Sequence, residues 1–359
     1  MTGNPGRVVN TQLRITADER QAFEALGLWF ERVSALTPDE AQGALTTLAP
    51  GDALALIASP LLLAAEFTER ATRARKLLAP GVKLVVLDTS DACSSPHLPV
   101  LPEVDAFLKN FVYHDLRAYT VPITGPSRIS HVLFHDFGYP TGNYEPVIPT
   151  DPIHLAKIRP SWTYAVDRSF RKLMLLSRFF AAPWSERSID VSLRFNADTS
   201  LLRASAEQLA SVTYYTRHRL EALRAAQRLR DRATLTGAER VPQRTYYMDM
   251  MRSRVVLSPF GYGEVCFRDF EAMCCGALLV KPDMSHVRTK PEFYIAGETY
   301  VPVRWDFADA DEKIAWYLSR PAEASRIANN AHEKLRVYYK ERRHISDIAQ
   351  TFLSLGSPA

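Results

Sequence analysis

Two Rossmann-like α/β domains are the fold class this sequence predicts, and three observations predict it. The chain has 359 residues, too many for one typical hydrophobic core and about right for two. A buried-strand, helix, buried-strand pattern opens near residue 52 and favours a parallel sheet. A second alternation of the same kind begins near residue 189 and contains a strand, a glycine turn and a helix.

Taken in order, residues 18 to 48 hold two helical patterns, the second opened by Thr37-Pro38-Asp39-Glu40, a cap followed by proline and acids. Asp52 to Ala58 reads as a strand, Leu61 to Leu78 as a helix and Val82 to Leu87 as a second strand after the Pro80-Gly81 break. The spacing then predicts a helix over Pro102 to Asn110, and strands within Asn110 to Pro122 and Ile129 to Phe137. Gly138 to Pro160 is rich in Pro, Gly, Asn and Asp and reads as a loop. Ser169 to Phe180 is a basic amphipathic helix, and the punctuation at Pro183 to Arg187 sets a boundary between a first domain, 1–183, and a second, 184–340, with 341–359 as a terminal helix. In the second part Ile189 to Phe195 alternates as a strand, Leu201 to Ala233 as one long helix and Tyr246 to Met251 as a short one. Strands at Arg254 to Leu257, Ala277 to Val280 and Thr299 to Val303, and helices at Val265 to Cys275, Asp309 to Leu318, Ala322 to Tyr339 and His344 to Leu355, complete the pattern.

The segment from Ser253 to His286 carries most of the chemistry. A glycine turn that opens a helix aims backbone N–H groups and the positive end of the helix dipole at one spot, which suits a phosphate. Gly261 and Gly263 let backbone approach such a group, and Tyr262 between them is placed to stack on a base or sugar. Arg268 suits bidentate phosphate recognition, and Glu271 can accept from two ribose hydroxyls. Glu264 is the other acid of the loop. Lys281 and His286 follow the next strand, Lys281 as a second positive charge against a departing diphosphate and His286 as a donor to a sugar or phosphate.

This block resembles the donor-binding half of GT-B glycosyltransferases, with Glu271, Ala272 and Gly276 in the family's E-A-x-x-x-G setting. The Ser-Pro-x-Gly turn, the following Arg and Gly-Ala-Leu-Leu-Val are most similar to exostosin-like and bacterial group 1 transferases. The resemblance covers roughly residues 188 to 318, with its motifs between 253 and 303. It implies transfer of a sugar from a nucleotide-sugar donor to a saccharide or glycolipid acceptor, as in polysaccharide biosynthesis. It also implies two Rossmann-like domains facing a central cleft, with 1–183 as the acceptor side and 184–340 as the nucleotide-sugar side, and a last helix that returns to the first domain. A nucleotide-sugar epimerase of the same architecture, and a non-catalytic sugar- or nucleotide-binding module, are the alternatives.

A catalytic base, if the reaction inverts, is expected on the first half, with Asp88, Asp91 and Asp136 as candidates. Asp309-Ala310-Asp311 has the spelling of a metal-binding Asp-x-Asp but precedes a helical pattern, where both acids serve as cap and dipole partners. No other cluster has metal-ligand spacing, so metal independence and no bound cofactor beyond the nucleotide sugar are expected. Four cysteines fit reduced thiols. A net charge of +4 gives no reason to expect a nucleic-acid partner, although basic residues gather in Arg217 to Arg232 and Lys334 to His344. A solvated face is the ordinary reading of such helices, and contact with anionic lipid heads is the other. With no secretory signal or spanning segment legible, the expected location is cytoplasmic, or peripheral at the inner membrane face.

Overall fold

The computed structural model describes residues 14–30, 47–58, 63–139 and 147–356. The first half holds strands β1 (Ala53–Ala58), β2 (Lys83–Asp88), β3 (Ala106–Lys109), β4 (Phe111–Tyr113) and β5 (Ile158–Pro160), with helices α1 (Arg20–Glu24), α2 (Ala64–Leu77), α3 (Arg128–Phe137) and α4 (Arg168–Phe180). The second half holds β6 (Ile189–Ser192), β7 (Ser253–Leu257), β8 (Leu278–Pro282), β9 (Val287–Thr289) and β10 (Val301–Val303). Its helices are α5 (Ala206–Ala210), α6 (Tyr214–Gln227), α7 (Gln243–Arg252), α8 (Phe267–Cys274), α9 (Ala310–Leu318), α10 (Pro321–Lys340) and α11 (Arg343–Leu353).

Two four-stranded parallel sheets result, in the orders β1-β2-β3-β5 and β10-β8-β7-β6. Both faces of each sheet are covered, which explains why their central strands read as unbroken apolar runs. In β2, Leu84 and Val86 face a core shared with α2, while Val85 and Leu87 face Ile345, Ile348 and Ala349 of α11. The last helix therefore lies on the first sheet. In β7, Val255 and Leu257 pack toward α6, α9 and α10, whereas Val256 belongs to the same core as Leu84. One apolar core thus runs through both halves.

A third, two-stranded sheet ties the halves directly. β4 of the first pairs antiparallel with β9 of the second, Phe111 opposite Thr289, and the His114 N–H donates to His286 O at 2.9 Å just beyond it.

Several sequence expectations need correction. Residues 102 to 110 are not a helix: Leu98–Glu103 forms a 3-10 turn containing Pro102, and the fully buried run of β3 follows. Residues 129 to 137 form helix α3, not a strand, because Ser127 and Ser130 make a reciprocal cap and Gly138 closes the helix at φ 63°. The single long helix over 201 to 233 is interrupted, since Ser205 caps α5 and Thr213 caps α6. Within the expected loop at 138 to 160, β5 adds an edge strand to the first sheet. The helix opened at Thr37 to Glu40 lies outside the described residues.

Asp88, at the end of β2, is buried with Lys109 of β3, whose Nζ donates to Asp88 Oδ2 at 2.8 Å and to Ser90 Oγ at 2.9 Å. Burial alone would raise the Asp88 pKa, but the ammonium and its hydrogen bond override it and hold the carboxyl below the usual range. Removing the cation leaves an uncompensated buried charge. Lys109→Met is expected to cost about 3 to 5 kcal/mol in denaturant-induced unfolding at neutral pH. Since the folded pKa is depressed, that difference should shrink as acidification passes through it, which repeating the titration at decreasing pH checks.

Candidate functional site

The second half's sheet presents its strand ends to the first half, and the loop after β7 makes the contact. Ser258, Pro259 and Phe260 lead into Gly261, where the chain turns back with a Gly261 N–H to Gly263 O bond of 3.2 Å. Gly263 lies against the first half so closely that a Cβ would sit 1.2 Å from Asp91 O. Only glycine permits that approach. Next to it, the buried Glu264 accepts from the Cys93 N–H at 2.9 Å, and its other oxygen lies 3.6 Å from His286 Nε2.

The start of α8 is locked by Asp269. Its carboxylate accepts from Ser258 Oγ at 2.6 Å, the Cys266 N–H at 3.0 Å and Tyr294 Oη at 2.7 Å, and pairs with Lys281 Nζ at 3.1 Å. Lys281 is fully buried in this cluster, so it does not face a departing diphosphate, as the sequence reading expected; it neutralises Asp269. Asp269 thereby organises the loop.

Two other cations do flank the glycine turn. Arg268 donates to Ser258 Oγ at 3.2 Å and Pro259 O at 3.3 Å, with its guanidinium 5.8 Å from the Phe195 ring centre. Arg219 of α6 reaches Gly261 from the other side, its Nη2 3.7 Å from where a Cβ of that glycine would be. Arg219 Nε is buried without a hydrogen-bond partner among the described residues. Burial first, and then the like charge of Arg268, push the Arg219 pKa down. Two guanidiniums held beside a glycine turn are relieved by an anion between them. Sequence reading placed Arg219 on a solvated helix face; its signal was its position in the first turns of a helix that packs behind the loop. Tyr262 stays half exposed at the turn, its carbonyl accepting from Tyr214 Oη.

Beyond Arg268 opens a pocket of about 510 Å³, lined by Arg194, Asn196, Gln243, Tyr246, Tyr247 and Glu271, among others. Glu271 accepts from Tyr246 Oη at 2.5 Å and Tyr247 Oη at 3.2 Å. Burial raises its pKa, against the lowering effects of the two phenols and Arg268. Asn196, after β6, takes the left-handed conformation at φ 57°, which asparagine tolerates better than most residues. Arg194 is anchored by Glu239 at 2.6 Å and Asp249 at 2.8 Å. Arg194 and Asn196 follow β6, while Tyr246 and Tyr247 lie on α7, so no single stretch of sequence signals this side of the pocket.

The three base candidates separate clearly. Asp88 is consumed by Lys109. Asp136 sits on the exposed side of α3 and not at a strand end. Asp91 lies at the junction, its backbone on Gly263 and its carboxyl accepting from Tyr164 Oη, with burial raising its pKa. Instead of an open acceptor wall, the first sheet's strand ends enclose a cavity of only about 10 Å³ beside Asp88, Thr89 and Asn110. Asp309, at the cap position of α9, makes no side-chain cap bond and pairs with Lys313 at 2.8 Å, while Asp311 in the first turn pairs with Arg228 at 2.7 Å.

Residues 217–350 match the family model described as glycosyl transferase-like. Over these residues the chain is similar to that family. The matched residues include Arg219, the glycine turn, Arg268 and Glu271, whereas Arg194, Asn196 and Asp91 lie before them. No curated protein matches the sequence. Among solved structures, the Anabaena protein HepE, crystallised with UDP and glucose, is similar at 11% identity over 100% of this chain and 98% of its own, with a TM-score of 0.47. Sucrose-phosphate synthase from Thermosynechococcus elongatus is similar at 12% identity over 90% and 81%, with a TM-score of 0.43. A glycosyltransferase from Rickettsia africae follows at 10% identity over 99% and 95%, with a TM-score of 0.44. Likeness at this level leaves the reading to this chain's own residues.

Gly263→Ala should destabilise the protein by about 2 to 4 kcal/mol, because backbone rather than a flexible side chain opposes the added methyl. Gly261→Ala, whose added Cβ meets nothing closer than 3.7 Å, should cost far less. Paired thermal and denaturant melts check the difference.

Proposed function

We propose that the protein transfers a sugar from a nucleoside diphosphate sugar to a saccharide or glycolipid acceptor, on the cytoplasmic side and without a metal. The observation that carries this reading is the pair Arg219 and Arg268 flanking Gly261, next to a pocket ended by Glu271. In this reading the diphosphate lies between the two guanidiniums and the turn, and the ribose hydroxyls bond Glu271 through the acceptor sites its carboxylate keeps beside the two phenols. The base occupies the pocket beside Tyr246, Tyr247 and Asn196. As the bond between sugar and diphosphate breaks, negative charge grows on the leaving oxygen, and two preorganised arginines stabilise it there. That is the work a metal would otherwise do. The sugar then points toward the junction, where Glu264, His286 and Asp91 lie. Asp91 is the first-half carboxylate placed to take the acceptor proton, and closure around it favours transfer over hydrolysis.

Nucleoside diphosphates and their sugars should raise the melting temperature of the protein in a panel of nucleotides. Arg219→Ala and Arg268→Ala should each weaken the response about ten-fold or more, at the strength of charge-assisted phosphate bonds. Asp91→Asn should keep the response and lose transfer to an acceptor extract. A panel in which no nucleotide stabilises the wild type defeats the reading.

Ribose recognition needs Glu271 ionised, and its pKa is raised. Nucleotide affinity should therefore fall on acidification at a higher pH than an ordinary glutamate would impose. Tyr246→Phe removes a bond that favours the carboxylate and should move that acid limb further upward. Calorimetric titration across pH, for both proteins, reads the two midpoints.

A further inference from the structure

The two basic helices offered by the sequence for lipid contact have spent much of their charge internally. On α6 and the residues after it, Arg224 pairs with Glu221 and Arg228 with Asp311, each at 2.7 Å. Near the C-terminus, Arg336 pairs with Glu333, Arg342 with Glu19 and Arg343 with Glu341, at 2.6 to 2.7 Å. A different surface has the opposite character. Helix α4 buries Phe170, Leu173, Met174 and Ser177 against the protein and leaves Leu175, Leu176, Phe179 and Phe180 outward, exposed by 55%, 47%, 75% and 58%. Leu175 with Phe179, and Leu176 with Phe180, are i,i+4 pairs, so the four form one patch on the last turns. Contiguous exposed apolar surface of this size on a soluble helix marks a contact site.

Charge identifies what covers it. Arg168–Phe180 contains four cations and no acid. Arg168 and Arg171 lean on Asp18 and Glu19 at 3.7 and 3.2 Å, while Lys172 and Arg178 make no ion pair among the described residues. Apolar side chains flanked by unpaired cations on long stems are the arrangement that enters the head-group region of an anionic bilayer. We propose that α4 docks the protein on an anionic membrane surface, with Phe179 and Phe180 inserted and Lys172 and Arg178 on lipid phosphates. The helix also touches the site: Ser177 Oγ donates to Cys274 O at 2.8 Å, and Cys274 ends α8, which carries Arg268 and Glu271. Docking there holds the donor loop at the plane of the lipid.

The proposal is independent of sugar transfer, because it is tested without substrate. The full chain is floated with phosphatidylcholine vesicles and with vesicles that also contain phosphatidylglycerol. Flotation is expected with the anionic vesicles and should weaken with added salt. Lys172→Glu and Arg178→Glu should each reduce the bound fraction about five-fold or more, and Phe179→Asp about ten-fold. All three positions are exposed or face solvent, and unchanged melting temperatures identify variants that remain folded. Equal flotation on both vesicle types, or variants that bind as wild type does, overturns the proposal. So does absence of flotation, and a mass in light scattering that halves with Phe179→Asp would assign the patch to a second copy of the chain instead.

Discussion

The contact of Gly263 with the backbone of Asp91 is the constraint on which the rest of the site depends. It brings a loop of one sheet against the strand end of another with no side chain between them. Everything near it follows from that closeness: Glu264 reaches the Cys93 N–H, β9 meets β4, and the interior that begins under α2 continues to β7 and α8. The loop withstands such a contact because Asp269 holds its far end with three hydrogen bonds and the Lys281 ammonium. A buried charge pair of this kind contributes little net stability but strongly penalises any rearrangement that breaks it. The turn is consequently held from both ends.

Legibility of the fold from sequence followed burial. Strands β2, β7 and β8, covered on both faces, were readable as apolar runs, as were the long amphipathic helices α4 and α10. Elements governed by local capping were not. The stretch 129–137, with five apolar residues, forms α3 rather than a strand because Ser127 and Gly138 supply its two ends. One long helical pattern was cut twice by Ser205 and Thr213. A three-residue edge strand such as β5, ending in proline, lacks enough residues to show a period.

The site was half legible. The glycine turn, Arg268 and Glu271 share one stretch of chain, and their spacing announces a helix start. Arg219, Asn196, Tyr246 and Tyr247 join them only through the third dimension. Lys281 and Asp88 show the reverse problem: each is a charged residue at a strand end, where ligands usually bind, yet each is buried with a counter-ion of its own. Position along the sheet fixes where a side chain starts, and the nearest opposite charge decides where it goes.

The core that crosses from the first sheet to the second, and the final helix that turns back onto β2, also bear on how such a protein can be re-engineered. Chimeras that exchange donor specificity by swapping the second half at the punctuation near Pro183 would cut through a common interior. A graft that keeps the recipient's own α11, together with its partners for Val256 and Leu279, respects the way the chain is built. Modularity here belongs to the pocket lining and not to the halves.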